Sequence, residues 1–175
     1  MENTSTSAVT PASVGIRYGV LIGIASIIFS MVLFMTTADQ SPARWLGLII
    51  IIGGIYLAHG FFKKNNGGFM SYGQGLGIGV IASAVAGLLS GIFNYIYVSF
   101  IDPTYMERIM ETTRAKMEEG GNMSDEQIDQ AIAMTQKFSS GPISVLFAIL
   151  GSIIFGLILS LIISAITKHT RPEFE

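Results

Sequence analysis

The sequence predicts an all-α protein: an integral membrane four-helix bundle with an amphipathic helical hairpin outside the membrane, between spans three and four. Three observations carry that expectation. Half of the 175 residues are hydrophobic and only 13% are charged, against about 25% in an average soluble domain. The charges are gathered in one place, with 12 of the 22 Asp, Glu, Lys and Arg residues lying between Asp102 and Lys137. Four runs hold none at all: Tyr18–Met35, Trp45–Phe62, Leu76–Ile101 and Pro142–Thr167, of 18, 18, 26 and 26 residues. A helix needs about 20 apolar residues to cross a hydrocarbon core. Mean hydropathy is +0.58. A soluble fold this small has a large surface to cover with polar groups, so a soluble globular enzyme is excluded. A net charge of −2 gives no basic footprint for nucleic acid. With no cysteine in the chain, a disulfide framework or thiolate site is excluded too.

Residues 1–14 are expected to be a disordered tail. Met1–Ser13 is rich in Ser and Thr and holds no basic residue; it lacks the charged start of a cleaved signal peptide, so the first run reads as a retained anchor. Spans one to three with short loops occupy 15–101. At about 1.5 Å per residue the first two runs reach about 27 Å and the last two about 39 Å, so the longer pair should tilt or protrude. Arg17 and Tyr18, Arg44 and Trp45, Phe61 to Lys64, and Tyr95, Tyr97 and Phe100 stand at run ends. Such amphipathic rings and basic heads suit the headgroup region.

The segment 102–140 is an acidic insert, with eight acidic and four basic residues. Pro103 is suited to the first position of a helix. Met106, Ile109, Met110, Thr113 and Met117 then recur at helical spacing. Gly120 and Gly121 end that helix, and Ser124-Asp125-Glu126-Gln127 fits a capping box opening a second, with Ile128, Ala131, Ile132, Thr135 and Phe138 on its apolar face. The hairpin reads either as a solvated cap on the bundle or as a partner-docking element. Span four occupies 141–168 and a C-terminal tail 169–175. Four crossings put the N-terminus, the Lys63–Ser71 loop and the tail on one side, near Arg17, Lys63, Lys64, Lys168 and Arg171. Basic residues favour the cytoplasmic side, so both termini are expected in the cytoplasm of a bacterial inner membrane.

Helix packing has its own pattern. Ser71, Gly75, Gly79, Ser83, Gly87 and Gly91 fall four apart in the third run, beside a row of Ala82, Ala86, Ser90 and Asn94. Ala148, Ser152, Gly156, Ser160 and Ser164 repeat the interval in the fourth. Lipid gives little hydrophobic drive for helices to associate, so contact comes from close backbone approach, which small residues permit. Gly75, Gly79, Ser83, Gly87, Gly91, Ser152, Gly156, Ser160 and Ser164 are therefore expected to pack helices, with the facing pairs left open. Alternating Gly73, Gly75, Gly77 and Gly79 also admit a broken helix lining a solute path.

Candidate chemistry is sparse. No ionisable residue lies at mid-depth of any run, where catalysis within a membrane usually shows itself. His59, three residues from the end of the second run, is expected to be interfacial and bonded to water or a loop, ahead of serving as ligand or proton carrier. His169 sits in a basic tail and reads as a headgroup contact. A zinc site would need carboxylates that are not placed for it, and Glu118–Asp129 fails the spacing of a calcium loop. Ser26, Ser30, Ser90 and Ser160 lack a basic partner for nucleophilic attack. No catalytic, cofactor-binding or metal-binding residue is assigned, and no cofactor is expected.

Together these segments resemble a known family. Tyr72-Gly73-Gln74-Gly75 after Asn66-Gly67-Gly68, Tyr95-Ile96-Tyr97 into Phe100-Ile101-Asp102-Pro103, Met123-Ser124-Asp125-Glu126-Gln127-Ile128 and the closing Arg171-Pro172-Glu173-Phe174 are similar to the small four-span bacterial membrane proteins of domain-of-unknown-function family 4199, found chiefly in Bacteroidetes. The likeness runs from about Ser13 to Phe174. It implies a four-helix inner-membrane protein of unassigned activity and supplies no site residues.

The expected function is that of a non-enzymatic interaction, assembly or envelope-support component. Its partners would be the lipid bilayer and either a second copy or another membrane or periplasmic protein, and not nucleic acid. The alternative is a subunit of an oligomeric small-solute transporter or channel, lined by His59, Gln74 and Asn94 with Tyr56. A lipid-acting enzyme comes third, for want of an acid–base pair.

Overall fold

A computed structural model describes residues 9–36, 38–139 and 141–171. Four of its helices are long and apolar enough to cross a membrane: α1 (Pro11–Met35), α2 (Gly47–Asn65), α3 (Tyr72–Ile96) and α6 (Ile143–Thr167). Between α3 and α6 stand α4 (Tyr105–Gly120) and α5 (Asp125–Ser139). A 3-10 turn, Pro42–Leu46, leads into α2, and a π turn, Tyr97–Ile101, ends α3. The protein is an all-helical membrane bundle.

The chain divides into two compact units, Met1–Ser90 with Ile149–Glu175, and Gly91–Ala148. In the first, α1 runs parallel to α3 and α3 antiparallel to α6. α1 begins at Pro11 because Thr10 and Ser13 cap it reciprocally, two orphan N–H groups being satisfied at once. That places residues 11–14 in the helix rather than in the expected tail, whose first eight residues lie outside the described ones. The buried stripe of α1 is Val14, Gly15, Gly19, Ile22 and Gly23. Val14, Ala58, Phe62, Met70 and Ile78 form one buried apolar cluster, and Ile22, Ile55, Ala82, Ala86 and Ile163 a second. Outward, Ile16, Ile28, Leu57, Ile154 and Ile166 are exposed, as side chains facing lipid would be.

In the second unit the π turn is closed by Asp102 N–H donating to Tyr97 O at 2.8 Å. α4 starts at Tyr105, two residues after the expected position: Pro103 and Thr104 form a turn held by Asp102. Gly121 ends α4 in the left-handed region, φ 63°, which glycine enters without steric cost. Ser124 and Gln127 cap α5 as the spacing predicts, with Ser124 N–H donating to Gln127 Oε1 at 2.9 Å. Arg114 on α4 pairs with Asp129 on α5, and Ile128 is the fully buried side chain of α5, 1% exposed. Phe138 packs on Phe147 at 4.9 Å. Residue 140, the end of the insert, lies outside the described residues.

Candidate functional site: a polar cluster where three spans converge

The last three turns of α2 present Ile55, Ala58, His59 and Phe62 on one buried stripe, the i, i+3, i+4, i+7 spacing of a helix face. His59 falls on that stripe and is completely buried, 0% exposed. The expectation of a water-bonded interfacial histidine is therefore corrected. Its Nε2 lies 2.9 Å from the carbonyl oxygen of Gly75 on α3, and its Nδ1 2.7 Å from Thr167 Oγ1 on α6. Thr167 Oγ1 also lies 2.7 Å from Ile163 O, within donating distance. One turn on, Lys63 Nζ donates to Thr167 O at 3.1 Å. A cation there satisfies a carbonyl that the C-terminus of α6 leaves without a partner, and offsets the negative end of the helix dipole. Three spans are tied together by side chains from only two of them, since α3 contributes backbone.

Two features keep the cluster in place. The loop before α3 pairs with the tail after α6: Met70 N–H donates to His169 O at 2.7 Å and His169 N–H to Met70 O at 2.9 Å. His169, expected as a headgroup contact, also stacks against Phe69 at 5.3 Å. Below the cluster, α3 and α6 meet through paired small residues. A Cβ added at Gly75 would lie 2.8 Å from Ser164 Oγ, one at Gly79 2.8 Å from Ser160 Cβ, and one at Gly156 would overlap Ser83. The hydroxyls of Ser83, Ser160 and Ser164 are buried without a hydrogen-bond partner. Gly91, in the second unit, stands against Ala148, a Cβ there lying 3.0 Å away. Gly87 is buried, and Ser152, half-buried, donates to Ile149 O at 2.8 Å.

The other expected liners fall elsewhere. Gln74 caps α3: Ser71 N–H donates to Gln74 Oε1 at 2.8 Å, and Gln74 N–H to Ser71 Oγ at 3.2 Å. Tyr56 is 60% exposed, on the outward face of α2. Asn94 is half-buried in the second unit. Among the described residues no three of His, Cys, Asp and Glu converge to hold a metal ion.

Sequence reasoning missed Thr167, Lys63 as a helix cap, and a further stripe on α1. A Cβ at Gly15 would meet Ile81 Cβ at 2.8 Å, and one at Gly19 the Ala82 carbonyl at 2.7 Å. At Gly23 the contact would be Leu89 Cδ1, at 2.8 Å. The four-residue spacing of those glycines was the available signal.

In the second unit, Arg108 donates to Asp102 Oδ2 at 2.5 Å and Thr104 Oγ1 to Asp102 Oδ1 at 2.8 Å. The Arg108 hydrogen bond, then that of Thr104, holds the Asp102 carboxyl below the usual carboxylate range. Asp129, by its hydrogen bond and charge, raises the already high pKa of Arg114.

Four apolar helices, three of them tied at one end by buried polar groups, define a multi-pass helical membrane protein. The sequence profile of a family described as "Protein of unknown function (DUF4199)" matches residues 17–169, and the chain belongs to that family. No curated protein and no solved structure matches it.

Proposed function

We propose that the chain is a non-enzymatic scaffold of a bacterial inner membrane, with both termini in the cytoplasm and the α4–α5 hairpin offered to a protein partner on the other side. The observation that carries this reading is the α3–α6 seam. Gly75, Gly79 and Gly156 lie so close to Ser164, Ser160 and Ser83 that no methyl group fits between. Close approach of this kind is how helices associate in lipid, and it fills the space a solute path would need. The hairpin's surplus of four negative charges suits a basic partner and disfavours anionic lipid. Arg17, Lys63, Lys64, Lys168 and Arg171 near the N-terminal end of α1 and the linked loop and tail support the orientation.

Photo-crosslinking in native membranes tests it, with the reactive residue placed at Met123 or Met134, both exposed in the hairpin, and at lipid-facing Ile154 as control. A discrete protein adduct from the hairpin positions alone is expected. Adducts no different from those at Ile154, together with an unchanged phenotype when 103–139 is removed, would overturn the proposal. A rival reading, a subunit of an oligomeric small-solute transporter, draws on the three buried hydroxyls without partners. It requires solute flux in reconstituted vesicles.

A further inference from the structure

We infer that His59 is a proton-binding site whose ring takes up a second proton while keeping both of its hydrogen-bond partners. This goes beyond the scaffold reading and stands independently of it. Counting hydrogens leads there. The Gly75 carbonyl beside Nε2 can only accept, so Nε2 carries a proton in every state. The Thr167 hydroxyl owns one hydrogen and has two acceptors at 2.7 Å, Ile163 O and His59 Nδ1. With a neutral ring, the hydroxyl donates to Nδ1. With a doubly protonated ring, Nδ1–H donates to Thr167 Oγ1 and the hydroxyl turns to Ile163 O. Both states satisfy the ring, and they differ by one proton and one O–H rotation. A carbonyl at both nitrogens would have left the neutral ring with one acceptor facing another.

The surroundings decide what the proton does. On its own helix His59 faces Lys63; α3 presents the Gly75 carbonyl, and α6 the Thr167 hydroxyl. None of α1, α2, α3, α6 or the 66–71 loop holds an Asp or Glu, and the described part of the tail, 168–171, brings Lys168, His169 and Arg171. An added proton sets a second cation near Lys63, with no carboxylate among the described residues of these segments to offset it. Unpaired charge is costly at membrane depth. The contact that gives way is Lys63 to Thr167 O, because the lysine stem can carry its ammonium outward to water. The C-terminus of α6 then loses its cap. Proton binding is thereby coupled to the tie between α2 and α6.

The test uses the full chain in lipid nanodiscs with 15N-labelled histidine rings, His169→Gln identifying the second signal. Across about pH 7.5 to 4.5, spanning the ordinary histidine pKa of about 6.5, His59 is expected to pass from one bound proton to two. The thermal midpoint should fall over the same interval. His59→Gln and Thr167→Val should each flatten that part of the midpoint curve, and Lys63→Met should keep the second protonation while reducing the fall. A ring that holds one proton throughout overturns the inference, and needs only the native residue at position 59. So does a His59→Gln curve that superimposes on wild type.

Discussion

Ser160 on α6 stands over Gly79 on α3, and one turn away Ser83 on α3 stands over Gly156 on α6. Each helix offers the other a serine and a glycine in opposite order, so the antiparallel pair interlocks. Replacing Gly79 with Ala should cost about 1–3 kcal/mol, the range for overpacking a filled interior, read as loss of stability in mixed-micelle unfolding. Gly77→Ala on the same helix, with nothing within 4 Å of the added carbon, should cost nothing or stabilise slightly, since Ala is the better helix former. Ser160→Gly should restore much of the loss in the double variant, because residues in contact couple. Equal effects at positions 77 and 79 would refute the interlock.

Gly19 should tolerate less than Gly79. A Cβ there meets the backbone of α3, 2.7 Å from Ala82 O and 3.0 Å from Ala82 Cα, whereas at Gly79 the obstacle is the Ser160 side chain, whose Oγ can turn away so that only its Cβ, at 2.8 Å, must yield. Gly19→Ala therefore requires α1 to move as a whole. The expected result is a larger stability loss than Gly79→Ala, with Gly53→Ala on α2, where nothing lies within 4 Å, as the silent control. Matching losses for Gly19→Ala and Gly53→Ala would show that α1 is not seated on α3 in this way.

The spans were legible because exclusion of charge over 18 or more residues is a property of each segment alone. The α5 cap was legible for the same reason, Ser124 and Gln127 being three residues apart. What escaped was relational. The stripe on α3 was visible, but nothing in either run could say that Gly75 meets Ser164 rather than another small residue. His59 was misjudged because its distance from the end of a run measures depth along one helix. Its burial is decided by Gly75 and Thr167 arriving from two others. Gln74 is a candidate pore liner only under the transporter alternative, and Ser71-Tyr72-Gly73-Gln74 has the same capping spacing as Ser124 to Gln127.

That cap makes its own prediction. Ser71→Ala removes the oxygen that accepts from Gln74 N–H and should cost about 1 kcal/mol, the usual worth of an N-cap. Gln74→Ala should cost less, and Gln74→Glu, which keeps the accepting oxygen, should be close to neutral. Thermal unfolding in nanodiscs checks all three. A solute-lining role for Gln74 would instead leave stability unchanged in all of them.

Asp102 and Arg108 set a pH dependence where α3 gives way to α4. The carboxyl is held below its ordinary range chiefly by the Arg108 hydrogen bond. A group whose pKa falls on folding adds stability that is complete above its unfolded pKa, about 3.9, and lost as pH drops through the folded value. The junction should therefore stay closed at neutral pH and open only below about pH 4. Amide exchange over 102–110, corrected for the intrinsic rate, reads this directly. Asp102→Asn should exchange at neutral pH much as wild type does in acid, and lose the pH dependence. A variant that exchanges like wild type at neutral pH would show the pair to be idle.

The orientation proposal is testable with unusual clarity because the chain has no cysteine of its own. Single cysteines at Asn65, before α3, and at Thr170, after α6, lie on segments joined by the Met70–His169 backbone pair, so they must share one face of the membrane. Asn122, between α4 and α5, is separated from Asn65 by one crossing. Basic residues cluster on the Asn65 and Thr170 side, and transfer of such residues across a membrane is what biogenesis resists. A membrane-impermeant thiol reagent applied to intact spheroplasts should label Asn122→Cys alone, with the other two reacting only after permeabilisation. Labelling of Asn65→Cys and Thr170→Cys without permeabilisation would invert the topology. The acidic hairpin would then face the cytoplasm, and the partner would have to be sought there.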